Sequence, residues 1–523
     1  MGAERRTYPP PPGRSPVTGD EQVDPEEGLG RRAASGVLWL TAQKWVIRAG
    51  GFVTLVVLTH QVAPKDFGVV AAAMSVIPLV YFLSDLGFST YLLQADEVDQ
   101  RSLSTAFWAS LVAGALLSAG LLGVAPLLAD AFGLPELAPV LRALVLSVVP
   151  TVLAAVPMAL LRRAMAFRVV ALQALVASLL AQVVAVAVAL LGGGVWALVS
   201  QLVVTQWVVA LLAWGRVRWL PSFTVSGRLF ARMASFGVKV SGFDLLGTTR
   251  MLLENWIIAV TLGPTALGLL NVAQRLVQVA QELVAASLVP VSTVVFAQVR
   301  GAVDRLRTSY LKALGLAYAM VSPVMILLVV TAPVLIPLLF GGKWRASVPP
   351  AQALAVAGII TLGAMLDHGL FYGLGRPGAW LGYAVVVDTA TVATTAVAVR
   401  WGLVGVAVGF VVVATLATVA RWVLVSRVMG MSVPTVARPF VTVLVPTAIT
   451  TAVGLLAMNA LDGLDSPALE VALCGLVVAI VDLALLRVLA VGIIRDALGV
   501  LPLPARPAAA IRRLLRLDLL EPA

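Results

Sequence analysis

FGVKVSGFDLLGTTRMLLENWIIAVTLGPTALGLLNVAQRLVQVAQELVAASLVPVSTVVF, residues 236–296, is the stretch on which the fold turns. It reads as two membrane-spanning helices joined by a tight turn, Leu262 to Gly268. Lys239, Asp244, Arg250, Glu254, Arg275 and Glu282 are set into otherwise apolar sequence. A central Arg, Lys or Asp in a bilayer helix costs roughly 2.5–3.5 kcal/mol, so such residues face a bundle interior or a watery cavity. At about 100° per residue, Lys239, Arg250 and Glu254 fall within about 60° on the first helix, while Asn271, Arg275, Gln278 and Glu282 share one face of the second. Two polar stripes on adjacent helices predict a shared polar cavity.

The hairpin occurs once before. Val62-Ala63-Pro64-Lys65-Asp66-Phe67-Gly68 aligns with Leu262 to Gly268, pairing Pro64 with Pro264 and Gly68 with Gly268, and the helix before it carries its own stripe of Thr41, Lys44 and Arg48. A second correspondence, at a slightly larger offset, pairs Phe132-Gly133 with Phe340-Gly341 and Gly194-Val195-Trp196 with Gly402-Leu403-Val404. Two such close offsets indicate an internal duplication with a short insertion, a common build of secondary transporters.

With 523 residues, 60% of them hydrophobic and only 12% charged, the chain is far more apolar than a soluble protein of its length. Its mean hydropathy is +0.99. The class is an all-α polytopic membrane protein. The one cysteine, Cys474, excludes an intrachain disulfide, and thiol metal sites have no support.

The apolar periodicity divides the chain into a disordered cytoplasmic tail (1–34), a six-span N-lobe (35–215), a cytoplasmic basic linker (216–233), a six-span C-lobe (234–430), two further spans (431–492) and a C-terminal cytoplasmic tail (493–523). Spans are expected near 37–58, 67–92, 105–128, 138–161, 169–191 and 195–215, then 234–260, 265–297, 312–339, 350–373, 380–399 and 404–426, then 440–460 and 468–490. That makes about 14 transmembrane helices. Six spans is an even number, so the two lobes are expected as a parallel repeat. The first apolar segment runs too long for a cleavable signal and is expected to stay as the first span. In the last tail, Arg506, Arg512, Arg513 and Arg516 alternate with Ile511, Leu514, Leu515 and Leu517, as in an amphipathic helix on an anionic leaflet; a solvated tail is the other reading.

The net charge of +11 is absorbed by topology. With both termini cytoplasmic, about 25 of the Lys and Arg residues fall in cytoplasmic segments, about five outside and roughly seven within spans. Nucleic acid is therefore not an expected partner. No phosphate-binding Gly-rich loop follows a soluble strand, and the loops between spans are too short for an extramembrane catalytic domain. Neither an enzymatic activity nor a cofactor is expected. His368 beside Asp367 reads as hydrogen bonding within the bundle.

The candidate cavity residues are Lys44, Arg48, Lys239, Arg250, Glu254, Arg275, Gln278 and Glu282. Counting from Ser35 at 1.5 Å per residue, Lys44 lies about 13 Å and Arg48 about 20 Å into a core about 30 Å thick. Arg250 and Glu254, at i and i+4, also suit a purely structural pair. Asp85 and Asp388 lie near cytoplasmic ends, where pairing with a neighbour accounts for them. Arg421 and Arg487 are expected to snorkel to a boundary.

Gly36-Val37-Leu38-Trp39, Leu58 to Gly68, Asp85-Leu86-Gly87-Phe88 with Leu93-Gln94, Phe107-Trp108, Gly194 to Val199, Leu262 to Gly268 and Phe340-Gly341-Gly342-Lys343-Trp344 resemble the polysaccharide-transporter branch of the multidrug, oligosaccharidyl-lipid and polysaccharide exporter superfamily. The likeness covers about residues 35–430. It implies a Wzx-type flippase of the plasma membrane that moves undecaprenyl-pyrophosphate-linked oligosaccharide to the outer leaflet for lipopolysaccharide or exopolysaccharide synthesis. The implied partners are the lipid-linked oligosaccharide, membrane lipids, a polysaccharide polymerase and glycosyltransferases. It also implies two six-helix lobes around a central cavity, often with two extra C-terminal helices. A peptidoglycan-precursor flippase and a multidrug or metabolite exporter of the same fold stand as alternatives.

Overall fold

The computed structural model describes residues 25–298, 303–489 and 492, with side chains placed over 43–237, 245–282 and 304–489 except at 368 and 372. The side chains of Lys239, Asp244 and His368, the first 24 residues and the amphipathic tail lie outside the described residues. Every regular element among them is helical. The chain forms α1 (Pro25–Gln61), α2 (Pro64–Asp85), α3 (Phe88–Gln94), α4 (Gln100–Phe132), α5 (Leu137–Arg163), α6 (Phe167–Leu190), α7 (Val195–Arg216) and α8 (Gly227–Gln298). Then follow α9 (Val303–Phe340), α10 (Val348–Thr361), α11 (Gly363–Gly373), α12 (Pro377–Ala398), α13 (Gly402–Met429), α14 (Val433–Leu461) and α15 (Pro467–Leu489). Backbone polar groups in hydrocarbon have no water to bond, so helices that satisfy themselves are the expected solution. Among the described residues ten helices are long and apolar enough to cross a membrane, or eleven if the bent α10–α11 pair is one span. The protein is a multi-pass membrane protein.

Several expected spans are interrupted. The span expected over 67–92 ends at Asp85, turns through Leu86 (φ 45°) and Gly87 (φ 73°), and resumes as α3. That over 350–373 bends by 41° between α10 and α11. Conversely, the expected turn Leu262 to Gly268 contracts to Gly263, the one residue in α8 with non-helical angles (φ 82°, ψ 173°). Pro264 then restarts the helix as Pro64 starts α2, because a first-turn proline loses no hydrogen bond. Helix α1 begins at Pro25, ahead of the expected start near 35; its proline and Glu26 and Glu27 suit a helix N-terminus.

The fold is cut into two compact units, one up to Leu267 and one from Gly268. In the first, α4 packs on α5, α5 on α7, α6 on α7 and α1 on α6. The second repeats the pattern with α9 on α10, α10 on α13 and α12 on α13, and adds α14 and α15 against α9. The paired glycines of the duplication occupy matching places. Gly133 and Gly341 follow α4 and α9 with φ of 64° and 92°, and Gly194 and Gly402 open α7 and α13 with φ of 52° and 72°. A side chain would be strained at each, so the sequence match reflects a shared backbone requirement.

Two ties shape one end of the first unit. Residues 217–226 lie along α4: Trp219 Nε1 donates to Gln100 Oε1 at 2.6 Å, Gln100 Nε2 to the Leu220 carbonyl at 2.7 Å, and Trp108 Nε1 to the Ser222 carbonyl at 2.9 Å. Beneath them Phe88, Leu92, Phe107, Trp219 and Met233 form a buried cluster. Arg163, at the end of α5, donates to the carbonyls of Leu92 and Ala95 and so closes α3.

Candidate functional site

In the first unit, Lys44 is exposed and Arg48 half-buried on α1. Beside them, Gln182 of α6 donates to the Ile47 carbonyl at 3.3 Å. On α8, Arg250 Nη1 donates to both carboxylate oxygens of Glu254, at 2.7 and 2.9 Å. Glu254 is only 4% exposed, so the pairing offsets a charge that burial alone would make costly. Asn255 donates to the Ala71 carbonyl at 3.3 Å and Trp256 to the Ala131 carbonyl at 2.7 Å, which ties this part of α8 to α2 and α4. In the second unit Arg275 and Gln278 are exposed, and Gln278 Nε2 donates to Glu282 Oε1 at 2.9 Å. The structure thus joins Arg250 to Glu254 and Gln278 to Glu282. The exposed Lys44 and Arg275 keep donors suited to phosphate or carboxylate oxygens.

Close backbone contacts hold α2 to α8. At one end, a Cβ built on Gly68 would lie 1.8 Å from the Pro264 carbonyl oxygen. At the other, a Cβ on Gly237 would lie 1.8 Å from the Leu86 carbonyl oxygen and 2.9 Å from Gly87 Cα. Tyr91 against Phe236 and Phe88 against Phe230 flank the second contact edge to face, with centroids 5.5 and 5.8 Å apart. Leu86 itself sits in the left-handed region, which costs a non-glycine residue about 1–2 kcal/mol. Its N–H donates to the Phe82 carbonyl at 2.9 Å.

Beside that turn the first unit contains a cavity of about 250 Å³ whose lining includes Tyr81, Asp85, Ser110, Thr151, Arg162 and Gln206. Asp85 Oδ1 accepts from the Ser89 hydroxyl at 2.7 Å and the Ser89 amide at 3.3 Å. The sequence indicated a neighbouring partner for Asp85 without naming Ser89, and it gave no sign of the cavity.

A second polar centre lies inside the second unit and corrects the expectation for Arg421. That residue is fully buried rather than snorkelling. Its Nη1 donates to Asp367 Oδ2 at 2.8 Å and its Nη2 to the Tyr318 hydroxyl at 3.2 Å, while the Tyr310 hydroxyl donates to Asp367 Oδ1 at 2.6 Å. The guanidinium fills the space over Gly363, where a Cβ would meet it at 2.2 Å. The ion pair therefore packs directly on the break between α10 and α11. The sequence signal was one acid and one base in separate spans, which spacing alone does not pair.

Comparison with known proteins agrees with this architecture. A family model described as "Polysaccharide biosynthesis protein" matches residues 57–349. The succinoglycan biosynthesis transport protein ExoT of Rhizobium meliloti is 27% identical over 311 residues, 59% of this chain and 63% of that protein. The chain thus spans somewhat less than two thirds of that relative. The lipopolysaccharide biosynthesis protein WzxC of Escherichia coli is 24% identical over 341 residues, 64% of this chain and 68% of that protein. The solved structure of the lipid II flippase MurJ in an inward closed conformation superposes with a TM-score of 0.72 at 14% identity, over 87% of this chain and all of that one, a likeness of fold. The match over more than half its length, carried on this duplicated helical frame, places the chain in the polysaccharide biosynthesis protein family.

Proposed function

We propose that the protein is a non-enzymatic flippase that carries lipid-linked oligosaccharide, with undecaprenyl pyrophosphate as the carrier, across the plasma membrane by alternating access. The carrying observation is the family match over residues 57–349. The names of the two sequence relatives, each a biosynthesis protein for a cell-surface polysaccharide, support it. A pyrophosphate-linked glycan is too hydrophilic to cross lipid unaided, whereas its polyprenyl tail stays in the bilayer. Lys44, Arg48, Lys239, Arg250 and Arg275 are the proposed contacts for its anionic head, with Glu254, Gln278 and Glu282 holding the cations and sharing the sugar hydroxyls. Polymerase and glycosyltransferase partners follow from the same reading. So do a six-span N-lobe and C-lobe about the linker 216–233.

The test is export of surface glycan in cells lacking the chromosomal gene and carrying the Arg48→Ala, Arg250→Ala, Arg275→Ala triple variant. Export should fall at least tenfold with the variant still in the membrane; normal export would overturn the assignment. Both termini and the linker are proposed to be cytoplasmic. In a Cys474-free protein, an impermeant maleimide on whole cells should then label a cysteine at Ala346 and spare one at Thr224, two positions that are exposed in the structure. The opposite pattern would reverse the orientation.

A further inference from the structure

We propose that residues 216–232, the chain that ends α7 and opens α8, form a binding surface for anionic phospholipid at the edge of the bilayer. Four arginines, Arg216, Arg218, Arg228 and Arg232, and no acid lie in this stretch. All four are exposed, and among the described residues none of them makes an ion pair. Residues 217–226 form no helix, yet they are tied down. Besides the bonds that Trp219, Leu220 and Ser222 make with α4, the Ser222 amide donates to Ser104 Oγ at 2.9 Å and the Ser226 amide to Thr105 Oγ1 at 3.2 Å.

That attachment decides which side chains face out. Val217 is extended, and Trp219 is buried with Arg218 and Leu220 exposed on either side of it, the alternation of an extended chain. Leu220 is 77% exposed and Phe223 91%. Phe223 stacks on Trp108, with ring centroids 5.2 Å apart. Trp108 heads a stripe that runs on through Val112 and Leu116, exposed at one-turn intervals along the membrane-spanning α4. A stripe exposed along a span faces lipid, so Phe223 continues a lipid-facing surface to the level where the span begins. On α8, Arg228 and Arg232 are one turn apart and exposed, while Met233 is buried in the cluster beneath.

Apolar side chains that reach the acyl boundary, with arginines beside them, match an anionic leaflet on both counts. The guanidinium fork presents paired N–H groups to phosphate oxygens. Each basic residue near an anionic surface favours contact about fivefold, and salt screens that attraction. The acids at this end of the unit, Asp96, Glu97 and Asp99, lie in the loop before α4, and Asp99 already accepts from the Ser102 amide at 2.8 Å. Arg101, Arg162 and Arg168 are exposed at the same end, so positive charge prevails there. The occupant is a lipid rather than a free anion because the arginines share one surface with Leu220 and Phe223. The surface stands independently of the cargo and of the side of the membrane on which it lies.

The experiment is hydrogen–deuterium exchange of the full-length protein, read on peptides covering residues 216–232, in nanodiscs of phosphatidylcholine alone and of phosphatidylcholine with about 30% phosphatidylglycerol. Exchange should be at least threefold slower in the anionic discs, and the difference should shrink at about 500 mM salt. The Arg218→Gln, Arg228→Gln, Arg232→Gln triple variant, which changes only exposed side chains, should exchange alike in both discs. In a Cys474-free protein, a fluorophore on a cysteine at Thr224 should be quenched by bromine carried in the acyl chains of the phosphatidylglycerol. Equal exchange of the parent in both discs, a difference that persists in the triple variant, or an unquenched fluorophore would overturn the proposal. Inorganic phosphate that slowed exchange equally in neutral discs would show an anion site without lipid, and slow exchange confined to native membrane vesicles would show a protein partner; either would also overturn it. Because no transport is measured, its failure is distinct from failure of the flippase reading.

Discussion

Replacing Gly237 by alanine places one methyl group where the structure has none to spare. The added carbon would sit 1.8 Å from the Leu86 carbonyl oxygen and 2.7 Å from the carbon of that carbonyl. A carbon–oxygen contact relaxes at about 3.3 Å, so α8 and the α2–α3 turn must part by about 1.5 Å at this point. Neither side yields easily: Gly87 needs its positive φ, and Phe88–Phe230 and Tyr91–Phe236 close both flanks. Overpacking of this kind costs about 1–3 kcal/mol. Charged against only the state in which the contact is made, that shifts a two-state equilibrium roughly 5- to 150-fold toward the state in which it is open. In the full-length protein in lipid nanodiscs, which keeps both aromatic flanks, the backbone amides of residues 86–94 should undergo hydrogen–deuterium exchange at least fivefold faster in Gly237→Ala than in the parent. Gly215→Ala, with no atom within 4 Å of the new methyl, is the control and should behave as the parent. Unchanged exchange in Gly237→Ala would show that the contact is not a state-dependent one and would refute the reasoning.

Two further outcomes follow from the polar contacts. Asp367→Asn or Arg421→Met alone leaves a buried charge without its partner and should destabilise the protein by about 3–5 kcal/mol, while the Asp367→Leu, Arg421→Met double variant should recover most of it, as thermal unfolding in detergent would report. A double variant no more stable than either single one would mean that the pair is not an isolated unit. Outside the spans, Glu136 precedes α5, and the hydrogen bond from Lys65 holds its carboxyl below the usual range. A depressed carboxylate contributes stability above its unfolded value of about 4.3, and that contribution is lost as pH falls through the lower folded value. Lys65→Met should therefore lower the melting temperature slightly at pH 7, and by progressively less as the pH falls below about 4.3; an effect that does not shrink with falling pH would exclude the ion pair as its source.

The membrane class, the helical character and the duplication were legible in the residues, because each is written in local or periodic terms, whereas the breaks within the spans were not. Apolar runs of bilayer length must be helical whatever they pack against. Glycines that recur at matching offsets, Gly133 with Gly341 and Gly194 with Gly402, mark backbone angles that no other residue adopts freely. A near neighbour was legible too: Arg250 and Glu254 meet across one helical turn. Tertiary structure decided everything that depends on distant partners. Arg421 looked able to reach a boundary, but packing delivers Asp367 and Tyr318 to its two Nη atoms from other helices, and a buried charge paired in this way has no reason to leave. Gly87 and Gly237 are 150 positions apart, and neither shows in sequence that the other's backbone will touch it. The cavity at Asp85 exists only because α2, α3, α4, α5 and α7 leave a gap there. Periodicity fixes which face a residue occupies; only the packed bundle fixes what that face meets.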